Sequence, residues 1–322
     1  MSNSEPRPRH GRGGLLLFFI VLLALPLTGL NAYLLNILGF AGIYVLLCTG
    51  LNLLMGYAGQ ISLGHAAFWG LGAYISGVLT ARYAWSPLAA LGASAVGTAL
   101  LAGLVGMPTL KLKGHYLAMA TLGFGIILNV LFVQLAGLTG GPSGLVDIPS
   151  FALGSFSIAT PLANYYFIWA WVALGLVGAQ NLSRSRLGRA LVALRGNDVA
   201  AECAGVRTHD YKLVVFVLSA VYAAVAGSLY VHYINFVAPA TFGFMNSVLL
   251  LTMVVVGGIG SFWGPVIGAL LLSLLPEYLR AWEGLDVLLY GAILMAVTMF
   301  LPQGLAPLLH LPRWRAGAEE AR

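Results

Sequence analysis

From Gly13 to Ala81 the chain runs without an Asp, Glu, Lys or Arg, and His65 is the one basic side chain in that stretch. The apolar residues do not alternate with polar ones, and they do not stop after the roughly 9–11 residues of a barrel strand. A soluble fold would expose an apolar patch far larger than monomers tolerate. A bilayer accepts the run, because each central charge would cost roughly 2.5–3.5 kcal/mol. Windows of about 20 apolar residues recur along the chain and predict membrane helices. They run Leu15–Leu30, Tyr33–Leu54, Ala66–Ala81, Leu88–Met107, Tyr116–Leu138, Tyr165–Leu182, Leu213–Tyr233, Met245–Val256, Val266–Leu279 and Val287–Leu301. The expectation is an all-α integral membrane protein of about ten transmembrane helices, some of them tilted or broken because several windows are short.

Basic residues orient these windows. Arg7, Arg9 and Arg12 precede the first, and Lys111 and Lys113 follow the fourth. Arg184, Arg186, Arg189, Arg195, Arg207 and Lys212 follow the sixth, and Arg313 and Arg315 follow the last. With about ten crossings every cluster falls on one side, which the positive-inside bias makes the cytoplasm. Both termini are then cytoplasmic. The divisions are a tail at 1–14, a membrane domain at 15–308 containing an inner loop at 183–212, and a tail at 309–322. Thr139–Asn164 with Asp147, the Ile234–Phe244 connector and the acidic turn Pro276–Asp286 fall on the outer side. The arginines and apolar run at the N-terminus also look like a secretory signal. Leu30-Asn31-Ala32 is a poor small-x-small cleavage site and another apolar run follows, so an uncleaved anchor is expected.

Composition agrees with a membrane protein. Only 8% of residues are charged, against about 25% in soluble domains. The 41 glycines suit helices that approach closely in lipid. A net charge of +6 would point to nucleic acid in a soluble protein, but here it is the positive-inside distribution, and no nucleic-acid partner is expected. Cys48 lies in an apolar stretch and Cys203 in the basic loop, so no disulfide is expected between them.

Three polar interruptions stand out. Gly56-Tyr57-Ala58-Gly59-Gln60-Ile61-Ser62-Leu63-Gly64-His65 joins two apolar windows. It reads equally as a tight surface turn and as irregular backbone lining a water-filled path, with Gln60, Ser62 and His65 at the path or its gate. The run Gly257–Gly268 places Gly260, Gly264 and Gly268 four apart, a stripe for close helix packing. It is not a phosphate loop, because no GxxxxGK[ST] occurs and no lysine follows a glycine. In the inner loop, Leu187, Leu191 and Leu194 among arginines predict a basic amphipathic continuation of the sixth helix. Gly196 breaks it, Asn197 or Asp198 can cap a short helix Val199–Ala204, Gly205 ends that helix, and Thr208 or Asp210 can cap the next. A loop held only at anionic lipid needs no such punctuation, whereas a docking site for a protein does.

No catalytic or metal constellation is found. His10, His65, His115, His209, His232 and His310 are scattered, and neither HExxH nor GxSxG occurs. The span interiors lack carboxylates, the usual carriers of proton coupling, which argues against a secondary transporter. Neither enzyme activity nor a cofactor is expected.

Three stretches carry a resemblance. GLNLLMGYAGQISLGHAAFWGLGAY (Gly50–Tyr74), ALRGNDVAAECAGVRTHDYKLVVFVLSAVYAAVAGSLY (Ala193–Tyr230) and VVVGGIGSFWGPVIGALLL (Val254–Leu272) resemble, in order, segments of LivM-type permeases. These are inner-membrane subunits of ABC importers for branched-chain amino acids. The resemblance implies a permease bundle with two related halves of inverted orientation, and no cofactor of its own. It implies a LivH-type homologous permease subunit, two cytoplasmic ATP-binding subunits and a periplasmic amino-acid-binding protein as partners. Asp198, Val199, Ala200, Ala201, Glu202 and Gly205 would then couple to an ATPase subunit. The chain departs from the longer EAA signature of other importers, since it carries only Ala200-Ala201-Glu202 and Gly205. The coupling role therefore rests on position. The outer turn, through Glu277, Arg280 and Glu283, is the expected docking place of the binding protein. A permease for urea or another small solute of the same superfamily is the alternative.

Overall fold

The computed structural model describes residues 12–29, 31–112, 114–153, 156–158, 160–279, 291–292, 295, 299–301 and 304–306. It is helical almost throughout: α1 (Arg12–Ala24), α2 (Ala32–Asn52), α3 (His65–Tyr83), α4 (Pro87–Thr109), α5 (His115–Gln134) and a turn α6 (Ala136–Thr139). There follow α7 (Pro161–Arg184), α8 (Arg186–Gly196), α9 (Asp198–Cys203), α10 (Thr208–Ile234), α11 (Phe244–Gly257) and α12 (Gly264–Leu279). Nine of the ten apolar windows fall on these helices, and Val287–Leu301 lies almost wholly outside the described residues. By length and composition five helices among the described residues can cross a membrane: α2 continued to Tyr57, α4, α5, α7 and α10. α11 and α12 are apolar but shorter, at 14 and 16 residues.

Burial sorts the helices. α2, α3 and α10 form the centre, with α7 and α12 packed on α2, and α4 on α3 and α10. α2 is apolar on every face, as a helix inside a membrane bundle must be. On α4 the side chains Val96, Leu100, Leu104 and Met107 stay exposed, and on α5 Met119, Ile126, Ile127 and Val130 do. Faces of this kind suit lipid or an apolar partner, not water.

The central contact rests on small residues. A Cβ at Gly72 would overlap the backbone of Ala224, and one at Gly227 would overlap the backbone of Trp69 and Ala73. Backbones can approach that closely only where side chains are absent. Beside this contact lies a buried polar chain. Ser76 Oγ meets Ser228 Oγ at 2.8 Å and His232 Nε2 at 2.9 Å. His232 Nδ1 faces the carbonyl of Pro149 at 2.6 Å. A carbonyl only accepts, so Nδ1 carries the proton and Nε2 accepts from Ser76.

The described residues of the Thr139–Asn164 connection cap this end of the bundle and depart from a purely helical chain. It contains a hairpin of two-residue strands, β1 (Ala152–Leu153) and β2 (Phe156–Ser157), with Ala152 opposite Ser157. Leu145 and Val237 pair as an antiparallel bridge. Asn235, in the left-handed region at φ 62°, donates to Ile148 O at 2.7 Å and Ser150 Oγ at 3.0 Å. Arg82 donates to Gly137 O, tying the end of α3 to α6.

Gly227→Ala should force the α3–α10 contact apart and cost about 1–3 kcal/mol, the usual range for overpacking. Thermal aggregation of the purified protein in detergent measures it. An unchanged midpoint would show that the contact has slack.

Candidate functional site: the junction of two helix breaks and the arginine-rich loop

The first interruption is a helix end followed by a turn. α2 widens into a π-helical turn over Leu53–Tyr57. Gly59 then takes a left-handed φ of +67°, Gly59 N bonds to Met55 O, and Gln60 N bonds to Leu54 O. The bond from left-handed Gly59 to Met55 O is the αL pattern of a helix terminus, and the Gln60 bond reaches one residue further back, as the π-helical widening requires. Leu63 N bonds to Thr121 Oγ1 at 3.1 Å, and Ala66 N, in the first turn of α3, bonds to Ser247 Oγ at 3.1 Å.

Gln60, Ser62 and His65 are all buried, at 5%, 2% and 1% exposure, while Gly59 and Ile61 beside them are exposed, so the stretch turns its polar side chains inward at the edge of the bundle. His65 Nε2 donates to Leu47 O at 3.2 Å, which ties α3 to α2. Gln60 Oε1 and Ser62 Oγ find no hydrogen-bond partner among the described residues. An orphaned buried polar group costs about 1–3 kcal/mol and calls for a water, a ligand or a partner subunit.

The second interruption separates α11 from α12. Gly264 and Gly268 do pack closely: a Cβ at either would overlap the backbone of Gly258 or Met253. Gly260 is not on that helical stripe. It sits in the turn at φ +78°, a conformation that side chains oppose. Leu305 N bonds to Val256 O at 2.9 Å, so residues 304–306 lie against this turn.

Asn52 joins the two interruptions. Its Oδ1 accepts from Gly260 N at 2.8 Å and its Nδ2 donates to Ser261 O at 2.9 Å. The side chain, 3% exposed, thus satisfies two backbone groups freed where α11 ends. Arg195 of α8 approaches from the loop and donates to Gly56 O. The sequence reading missed both residues. The signal for Asn52 was an amide inside the apolar run Leu51–Leu54; Arg195 was indistinguishable from its neighbours.

The loop holds two helices, α8 and α9, between α7 and α10. α8 is a separate helix and not a continuation of α7, because Ser185 interrupts the chain and caps α8 by accepting from Gly188 N. α9 spans Asp198–Cys203, one residue earlier than expected at each end, and Asn197 Oδ1 accepts from Val199 N and Ala200 N. Gly205, at φ +82°, ends it through the bonds Gly205 N to Glu202 O and Val206 N to Ala201 O. Neither Thr208 nor Asp210 caps α10. Thr208 already lies in the helix and donates to Glu202 Oε1 at 2.5 Å, and Asp210 pairs with Arg207 at 3.4 Å. Lys212 pairs with Asp198, so α9 is fastened to α10 at both ends. Ala201 is buried at 5%, whereas Val199 stands 62% exposed.

At the opposite end of the bundle, Glu277 accepts a hydrogen bond from Tyr33 Oη. Arg280 and Glu283 lie outside the described residues. No cluster of three or more potential metal-binding side chains occurs among the described residues.

The sequence pattern of the family described as "Branched-chain amino acid transport system / permease component" matches residues 33–300. The chain belongs to this permease family. It is 33% identical over 311 residues to the high-affinity branched-chain amino acid transport system permease protein LivM of Escherichia coli K12, covering 87% of this chain and 72% of that one. The LivM protein of Salmonella typhimurium is 34% identical over the same lengths. The permease LivH of E. coli K12 is 28% identical over 288 residues, covering 81% of this chain and 90% of LivH. No solved structure matches the chain. Members of the family are membrane permease components and not themselves enzymes, in keeping with the apolar helices described above.

Asn52→Leu keeps the branching of the side chain but leaves Gly260 N–H and Ser261 C=O without their partner. It should lower stability by about 1–3 kcal/mol for each orphaned group that water does not reach. The unfolding midpoint of the purified permease reads the loss; an equal midpoint would remove Asn52 from the junction's support.

Proposed function

We propose that the chain is the permease subunit of a bacterial ABC importer that carries leucine, isoleucine, valine or a similar amino acid inward across the inner (plasma) membrane. ATP hydrolysis on separate subunits drives the transport. In this reading its partners are a LivH-type homologous permease subunit, two cytoplasmic ATP-binding subunits and a periplasmic amino-acid-binding protein. Both termini are cytoplasmic, the crossings number about ten, and the halves are related by inversion.

The observation that carries the reading is α9. A six-residue helix cannot hold itself in water, yet this one is capped at both ends, fastened to α10 and presented with Val199 exposed. That is the form of a rigid knob for a cleft on another protein. Asp198 and Glu202 fasten it, Ala201 seats it from beneath, Val199 and Ala200 face the ATPase subunit, and Gly205 sets its exit. When the ATPase pair closes, the knob moves with it and shifts α10, which packs on the central helices.

The substrate path runs past the Gly56–His65 break. Gln60 and Ser62 supply the argument, since their orphaned atoms are satisfied by water or substrate when the path opens. Gly260, Gly264 and Gly268 hold the neighbouring turn close. The binding protein docks at the opposite end, near the turn with Glu277, Arg280 and Glu283. The bond from Tyr33 makes Glu277 a structural member of that surface.

Two tests follow from this arrangement. Val199→Glu should abolish leucine uptake and co-purification with the ATPase subunits while membrane insertion stays normal, and Gly205→Val, strained at positive φ, should act in the same direction. Full uptake in both variants would dismiss α9 as the docking knob. Cysteines at positions 60, 62 and 65, in a chain lacking Cys48 and Cys203, should react with small aqueous thiol reagents in at least one nucleotide state. Inertness of all three in every state would assign the break to packing alone.

A further inference from the structure

Helix α8 ends beside both interruptions of the bundle, and one side chain touches both. Arg195 stands two residues before Asn197, the cap of α9. Its guanidinium donates to Gly56 O. Its stem lies along Gly59, where an added Cβ would come within 3.3 Å of Arg195 Cγ. The space a side chain at Gly260 would need is taken by the same guanidinium. Gly56 and Gly260 are themselves in contact, so a Cβ at Gly56 would meet the backbone of Gly260.

The Gly56 carbonyl has a reason to need this donor. Its helical partner would be Gln60 N, but the terminal pattern sends Gln60 N to Leu54 O. The carbonyl is freed by the left-handed turn at Gly59 and is satisfied by a group from another segment. A guanidinium is suited to the task, being permanently charged, planar and less strongly hydrated than an ammonium. The loop is therefore joined to the bundle in two places. Lys212–Asp198 and Thr208–Glu202 join α9 to α10, and Arg195 joins α8 to the breaks.

We propose that Arg195 is a positioning residue that transmits movement of the α8–α9 loop to the Gly56 and Gly260 turns, so that the two turns shift together when the ATPase subunits close. This rests on the reading of the chain as an ABC importer permease. Without the guanidinium, α9 would still dock and hydrolysis would still run, but the break carrying Gln60 and Ser62 would lose its instruction from the loop.

The test uses the assembled importer in proteoliposomes, with both permease subunits, the ATPase pair and the binding protein. Leucine uptake per ATP hydrolysed is measured for Arg195→Met, Arg195→Gln and Arg195→Lys. Co-purification of the ATPase pair reports assembly, and Arg195→Gln stands in if Arg195→Met does not assemble. The neutral variants should hydrolyse ATP yet move about tenfold less leucine per ATP, within the usual range of coupling between sites. Arg195→Lys, which restores a cationic donor, should recover a large part of the ratio. An unchanged ratio in the neutral variants overturns the proposal. So does a parallel fall of hydrolysis and uptake that lysine does not relieve, since that marks a merely structural role. A wild-type importer that hydrolyses ATP but carries no branched-chain amino acid overturns the functional reading, and this proposal with it.

Discussion

In surroundings without water, every backbone N–H and C=O must find a partner inside the protein. This chain interrupts its helices twice near the arginine-rich loop, and each interruption frees such groups. Asn52 answers the need on one side by bonding Gly260 N and Ser261 O with the two ends of one amide. Arg195 answers it on the other by bonding Gly56 O. These bonds place α2, α8, α11 and α12 about the junction, together with those from Leu63 N to Thr121 and from Leu305 N to Val256 O. The absence of side chains at Gly56 and Gly260 is the complementary condition, since it lets the two turns touch.

Away from the junction the bundle is held by packing. α2, α3 and α10 bury most of their surface against each other, with Gly72 and Gly227 allowing the α3–α10 backbones to meet. The Ser76–Ser228–His232 chain runs along that contact and ends on Pro149 O in the outer connection. α10 thus has two fixed relations. One end is bonded to the ordered cap of residues 145–151 through His232 and Asn235. The other is bonded to α9 through Lys212 and Thr208.

The sequence disclosed what local rules can disclose. Apolar windows located α1 to α5, α7 and α10 to α12, because a span's length is imposed by the bilayer and not by its neighbours. The loop's punctuation was readable for the same reason: Asn197 and Gly205 act within a few residues of where they stand. Longer-range partnerships were not readable. Asn52 and Gly260 are 208 residues apart, and nothing near either announces the other. Thr208 looked like a cap and is instead a helical residue bonded to Glu202, a choice made by the packing of α9 on α10. Gly260 looked like a member of a helical stripe, yet its positive φ and its contact with Arg195 place it in the turn. The separation of α8 from α7 at Ser185 was hidden by an unbroken leucine periodicity that both a bent and a straight helix would satisfy.

The distribution of these contacts indicates where the bundle can change shape. At the capped end, the Leu145–Val237 bridge and the bonds from His232 and Asn235 tie residues 145–151 to α10. At the looped end, the turns are glycine-rich, are linked by a few side-chain bonds, and contain Gln60 Oε1 and Ser62 Oγ, which have no partner among the described residues. A buried polar atom without a partner raises the free energy of the arrangement that holds it. A rearrangement that gave those two atoms partners would recover about 1–3 kcal/mol for each, partly offsetting the packing lost at the turns. The two atoms lie beside the turns that Asn52 and Arg195 hold, so a movement of the loop that reached those turns would also reach Gln60 and Ser62.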